Sequence, residues 1–129
     1  MGTLKTVMQV QSIVLALYGL PYLVMPARTQ VLTGQAAVPE TYFLRVVGIT
    51  FIMLAWLEFQ VAGDLARYRA LTLTYAILPA LFFVTIALQL ATTSFAGALW
   101  YWWLNLAITA AFAIAMFTAR RRFAVAGGA

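Results

Sequence analysis

The chain has 129 residues, 65% of them hydrophobic and 9% charged, with a formal net charge of +5. Soluble domains are about 45–50% apolar and about 25% charged. A sphere of this size cannot hide that much apolar surface from water, so a soluble globular fold and a disordered chain are both excluded. With no Cys and no His, thiol nucleophiles, disulfides, imidazole bases, the usual haem ligands and most zinc or copper sites are excluded too. Three carboxylates remain, Glu40, Glu58 and Asp64. They are too scattered for a paired-carboxylate site, so no catalytic residue and no metal site is expected, and the chain is not expected to be an enzyme.

Four apolar stretches predict helices over 5–25, 41–62, 68–91 and 95–119. Each is long enough to cross about 30 Å of hydrocarbon at about 1.5 Å per residue. Backbone in lipid must satisfy its own hydrogen bonds, and no period-two alternation points to barrel strands. The first segment, with Lys5 ahead of its apolar run, weakly fits a signal peptide, but its length predicts a retained helix. Its Gln11, Tyr18 and Tyr22, spaced by seven and four, share one face that is expected to point inward. In the connection over 26–40, Pro26 is expected to stop the helix, Gly34 to permit a turn and Pro39 to place the next start.

The second helix carries Arg45 near one end and Glu58 near the other. Thirteen residues, about 20 Å of helix, keep them from forming one salt bridge. They flank a stripe with Gly48 and Ala55, so both are candidates to face the bundle at opposite depths. The second connection centres on Gly63-Asp64. In the third helix Pro79 removes one backbone hydrogen bond and frees the carbonyl near Tyr75. Asn105 or Thr109 of the fourth helix is the expected partner, as interhelical glue or as part of a ligand pocket. The third connection is Thr92-Thr93-Ser94. Ala107, Ala111, Ala115 and Ala119, four apart, form a small-residue ridge for packing within the bundle, against a second copy or against a larger partner. Short connections predict an all-α, four-transmembrane-helix, up-down-up-down bundle forming a single membrane domain over residues 1–129.

The charges sort by side. Lys5, Arg67, Arg69, Arg120, Arg121 and Arg122 share one side, while Arg28 and Arg45 lie on the other. The positive-inside rule predicts both termini in the cytoplasm, N-in and C-in. The basic residues therefore read as topology signals at segment ends, and no nucleic acid is expected. Arg120-Arg121-Arg122 also suits anionic headgroups. Trp100, Tyr101, Trp102 and Trp103, with Tyr22 and Tyr42 at a similar depth, form an aromatic belt or a groove for a quinone or lipid.

Polar groups at membrane depth mark candidate sites. Glu58, Gln9, Gln11, Thr74 and Tyr75 lie at similar depths near the inner ends of their helices. One reading is a proton- or cation-coupled site on Glu58. The other is an interfacial carboxylate reaching the headgroups near Arg67 or Arg69. Arg45 is open to an anion or headgroup site, to pairing with Glu40, or to snorkelling outward.

The stop Leu23-Val24-Met25-Pro26, the short outer loop with Gly34, the opening Leu44-Arg45-Val46-Val47-Gly48 and the basic tail resemble the small four-helix bacterial membrane proteins grouped as DoxX-like. The resemblance spans most of residues 1–119. It implies a bacterial inner (cytoplasmic) membrane location and an accessory membrane subunit, as some relatives accompany quinone-linked redox enzymes. Small multidrug transporters match in size and helix count, but their first-helix carboxylate has no counterpart here. The function expected is therefore a non-catalytic accessory or interaction subunit of a larger membrane complex. Its contact surface would be Trp100, Trp103, Ala107, Ala111 and Ala115, and its partner another membrane protein or a second copy. The alternative is a small transporter or a quinone- or lipid-binding protein using Glu58, Gln11, Tyr75, Arg45, Tyr18 and Asn105. No cofactor is evident from the residues; a quinone or a lipid is the candidate ligand.

Overall fold

The computed structural model describes residues 2–35, 39–92 and 99–126. They form α1 (Gly2–Val24), α2 (Pro26–Leu32), α3 (Tyr42–Gly63), α4 (Leu71–Thr92) and α5 (Leu99–Ala126), with no strand among them. The helices α1, α3, α4 and α5 are each long and apolar enough to cross a membrane. The chain is thus a multi-pass helical membrane protein. Thr93, Ser94 and the expected start of the last helix at 95–98 lie outside the described residues. At its other end α5 runs past the expected 119, so Arg120, Arg121 and Arg122 are helical.

The connection over 26–40 was expected to be irregular, yet it contains α2. Pro26 begins this helix, because an N–H in the first turn has no intrahelical acceptor and its loss costs nothing there. The Thr29 hydroxyl donates to the Met25 carbonyl (2.8 Å) and the Thr33 hydroxyl to the Thr29 carbonyl (2.8 Å). Gly34 then takes φ 64°, which suits a residue without Cβ, and the Gln35 N–H reaches the Gln30 carbonyl (3.0 Å).

The closest helix pair is α1 with α3, followed by α4 with α5. Gly19 and Gly48 set the first. A Cβ on Gly48 would stand 2.6 Å from the Leu23 nitrogen and 2.7 Å from the Gly19 carbonyl oxygen. Backbone therefore meets backbone, as small residues in membrane helices allow. By contrast α3 and α4, though consecutive, scarcely touch. The connection between them is drawn towards α5. Asp64 caps it by accepting from the Arg67 N–H (3.1 Å), and the Arg69 guanidinium donates to the Ala124 carbonyl (3.2 Å).

One apolar cluster joins Leu4 and Met8 of α1, Val61 and Ala62 of α3, Tyr75 and Ala76 of α4, and Met116, Ala119 and Phe123 of α5. The start of α1, the end of α3, the start of α4 and the end of α5 therefore lie together. Elsewhere the long helices present apolar side chains outward, among them Ile13, Leu17, Ile49, Met53, Leu81, Leu88, Leu104 and Ile114. Acyl chains solvate such a surface at no cost, whereas a soluble monomer rarely exposes one this large.

Candidate functional site: a cavity between the helices

The glycine crossing draws α3 onto α1, and α5 carries α4 away from α3. The space left between the two pairs is a cavity of about 200 Å³. Its walls are Gln11, Val14, Leu15, Tyr18 and Tyr22 of α1, Phe51 of α3, Pro79, Phe82 and Ile86 of α4, and Tyr101, Trp102, Asn105, Ile108, Thr109 and Phe112 of α5. Gln35, just beyond α2, completes the lining, and its side-chain amide donates to the Tyr22 hydroxyl (2.7 Å). The Phe51 and Phe82 rings, 5.7 Å apart between centroids, bridge α3 and α4. The walls are mainly apolar, and a few polar groups converge on the space: Gln11, Tyr18, Asn105 and Thr109.

Helical spacing explains which residues arrive here. Gln11, Tyr18 and Tyr22 recur on one face of α1, and Asn105, Thr109 and Phe112 on one face of α5. Asn105 and Thr109 do not serve the carbonyl that Pro79 frees, contrary to expectation. The Asn105 amide donates to the Tyr101 carbonyl of its own helix (2.9 Å), and the Thr109 hydroxyl to the Asn105 and Leu106 carbonyls (2.9 and 3.1 Å). The partner is Gln11 of α1, whose amide nitrogen donates to the Tyr75 carbonyl at 3.4 Å. Gln11, Pro79, Asn105 and Thr109 all line the cavity, but the Asn105 and Thr109 donors are spent within α5 while Gln11 reaches across to α4.

Glu58 is 0% exposed, and neither of its carboxylate oxygens has a hydrogen-bond partner. It does not line the cavity. Tyr75 is the group it influences electrostatically, and Gln11, Ser12 and Thr72 are the other buried polar residues of α1 and α4. Of the inner cluster expected from the sequence, Gln9 is half-buried and Thr74 exposed, so Thr72 and Ser12 supply the buried hydroxyls instead. The full burial of Glu58 also separates it from the headgroups. Arg45 is exposed and lines neither place.

On α5, Ala107 and Ala111 are exposed, Ala115 is half-buried and Ala119 is buried. A step of four residues overshoots one helical turn by about 40°, so the alanine row winds from the outer surface into the core and is not one straight contact ridge. Trp100 and Trp103 are exposed at 66% and 57%, whereas Trp102 between them turns into the cavity wall. Sequence reasoning missed Gln35, Phe51, Phe82, Ile86 and Phe112. Phe82 stands one turn beyond Pro79, and Phe112 one turn beyond Thr109, which is a usable signal. Gln35 follows a turn and carries none. No family model, no curated protein and no solved structure matches the chain.

Proposed function

We propose that the protein binds a lipophilic molecule with a polar head, of the quinone or lipid class, in the cavity between α1, α4 and α5. The cavity itself carries this reading: ligand sites are concave and mostly apolar, with a few polar groups that fix orientation. An apolar cavity of about 150 Å³ holds benzene. The space here, about 200 Å³, accepts a substituted ring or a small headgroup, and any long tail has to leave between helices into lipid. The Tyr18 hydroxyl and the second amide proton of Asn105 are the donors able to address a ring oxygen or an ester. The residues lining the space suit binding, with no nucleophile–base pair among them.

In this reading the four long helices cross up-down-up-down in a bacterial inner membrane, with both termini cytoplasmic. Support comes from the ends that the apolar cluster gathers, which carry Lys5, Arg67, Arg69 and Arg120 to Arg122. The exposed face of α5 with Trp100, Trp103, Ala107 and Ala111 suits acyl chains as well as a protein, so the cavity and not this face carries the assignment.

Trp102 in the wall supplies the test. A short-tailed naphthoquinone added to the protein in nanodiscs is expected to quench tryptophan emission saturably. Val14→Phe, which fills the cavity, and Asn105→Leu, which removes a polar group, should each weaken binding about tenfold, roughly 1.4 kcal/mol. Quenching that rises linearly and equally in all three proteins reports partition into lipid and would overturn the assignment.

A further inference from the structure

Buried polar groups in folded proteins are nearly always hydrogen-bonded, so each exception asks for an explanation. Three exceptions here share one chemistry. Both oxygens of Glu58 and the side-chain oxygen of Gln11 are buried without a partner. All three are acceptors, and both residues bear on Tyr75: the Gln11 amide nitrogen holds its carbonyl, and Glu58 acts electrostatically on its side chain. Glu58 is 0% and Gln11 3% exposed. Two other buried hydroxyls of these helices are already committed. The Ser12 hydroxyl donates to the Gln9 carbonyl (2.8 Å) and the Thr72 hydroxyl to the Arg69 carbonyl (2.7 Å), which leaves their oxygens as further acceptors.

We infer that Glu58 and Gln11 form a binding site for one unit of positive charge, a proton or a small monovalent cation, within the membrane-spanning part of the protein. An uncompensated carboxylate in this setting is costly, and a single carboxylate balances a single charge. A divalent ion would leave one charge uncompensated in the same low-dielectric space. The protein's own cations do not fill the place. Lys5, Arg67, Arg69, Arg121 and Arg122 are exposed, and Arg120, half-buried on α5, keeps its own Nε without a partner. Tyr75 of α4 is the titratable group linked electrostatically to the carboxylate, and Gln11 and Ser12 of α1 and Thr72 of α4 are the other buried polar side chains of the two helices.

The site stands apart from the proposed ligand cavity, since Glu58 does not line that space, but Gln11 belongs to both. Its amide nitrogen fixes α4 while its oxygen is left for the charge. This location requires no ligand in the cavity, so failure of the quinone experiment leaves the inference standing.

The test is thermal unfolding of the whole protein in nanodiscs, at fixed ionic strength balanced with N-methylglucamine. One arm adds Na⁺, K⁺ or Li⁺ at constant pH, and the other varies pH from 5 to 9 without alkali metal. If the charge is a metal ion, one alkali cation raises Tm with the logarithm of its concentration above Kd, by about 5 °C or more at a large excess. The rise is lost in Glu58→Gln and reduced in Gln11→Met. If the charge is a proton, alkali ions do nothing, and Tm depends on pH in the natural protein but not in Glu58→Gln. A natural protein insensitive in both arms overturns the inference, whether or not the variants fold. An alkali effect that is absent in the natural protein and appears in Arg120→Gln also overturns it, because Arg120 would then be the occupant.

Discussion

Gly48 fixes the distance between α1 and α3 because nothing larger than hydrogen fits against the Leu23 nitrogen and the Gly19 carbonyl. The atoms it meets are backbone, which cannot rotate aside as a side-chain end can. Gly48→Ala should therefore destabilise the protein by about 1–3 kcal/mol, the usual cost of overpacking, read by denaturant unfolding in mixed micelles. Gly63 has open space around its Cβ position, so Gly63→Ala should lose none of this and is the matched control. Glu58 shows the opposite economy at the same scale. It occupies the buried stripe of α3 with Gly48 and Ala55, where any apolar residue would pack without unsatisfied oxygens. A residue that breaks its local rule in this way is where the charge site inferred above is placed. Its position near the end of a hydrophobic helix was legible in the sequence. That it would be wholly enclosed was not, because enclosure depends on what α1 and α4 place beside it.

At the scale of elements, α4 is a helix with a gap in its hydrogen-bond ladder. Pro79 has no N–H for the Tyr75 carbonyl, and Gln11 of α1 fills the vacancy from outside. This makes a specific double-mutant prediction. Gln11→Leu alone should cost about 1 kcal/mol, the upper range for side-chain hydrogen bonds between membrane helices. In a Pro79→Ala background the helix regains its own donor, and the same substitution should cost close to nothing. Equal costs in both backgrounds, measured by unfolding in mixed micelles, would mean that Gln11 contributes through packing alone. The gap itself follows from the sequence, since Pro79 sits mid-span. The identity of the partner does not. Asn105 and Thr109 were equally plausible donors by depth, and they are occupied by carbonyls one turn earlier in α5. The short α2 was also hidden, because seven residues opening on Pro26 look like any loop until Thr29 and Thr33 are seen to bond back along the chain.

For the whole molecule, one apolar cluster gathers helix ends from α1, α3, α4 and α5. The Arg69–Ala124 bond ties the connection between α3 and α4 to the end of α5, and Leu4 packs in the same cluster as Phe123. The chain has no cysteine, so single cysteines can report sidedness without a background. Thr3→Cys and Ala66→Cys should label with an impermeant maleimide only in inside-out vesicles, and Ala27→Cys only in right-side-out ones. The reverse pattern would invert the proposed orientation. Composition and residue order by themselves determined the membrane class, the number of long helices and where the charges lie along the chain. These properties follow from transfer free energies that each residue carries wherever it is placed. The tertiary structure decided what the composition left open: α4 sides with α5 rather than α3, a cavity opens between the pairs, and Glu58 is enclosed while Arg45 is not. Those outcomes depend on contacts between residues far apart in the chain, such as Gly19 with Gly48 and Gln11 with Tyr75, and helical periodicity within one segment carries no information about its neighbour's rotation or approach.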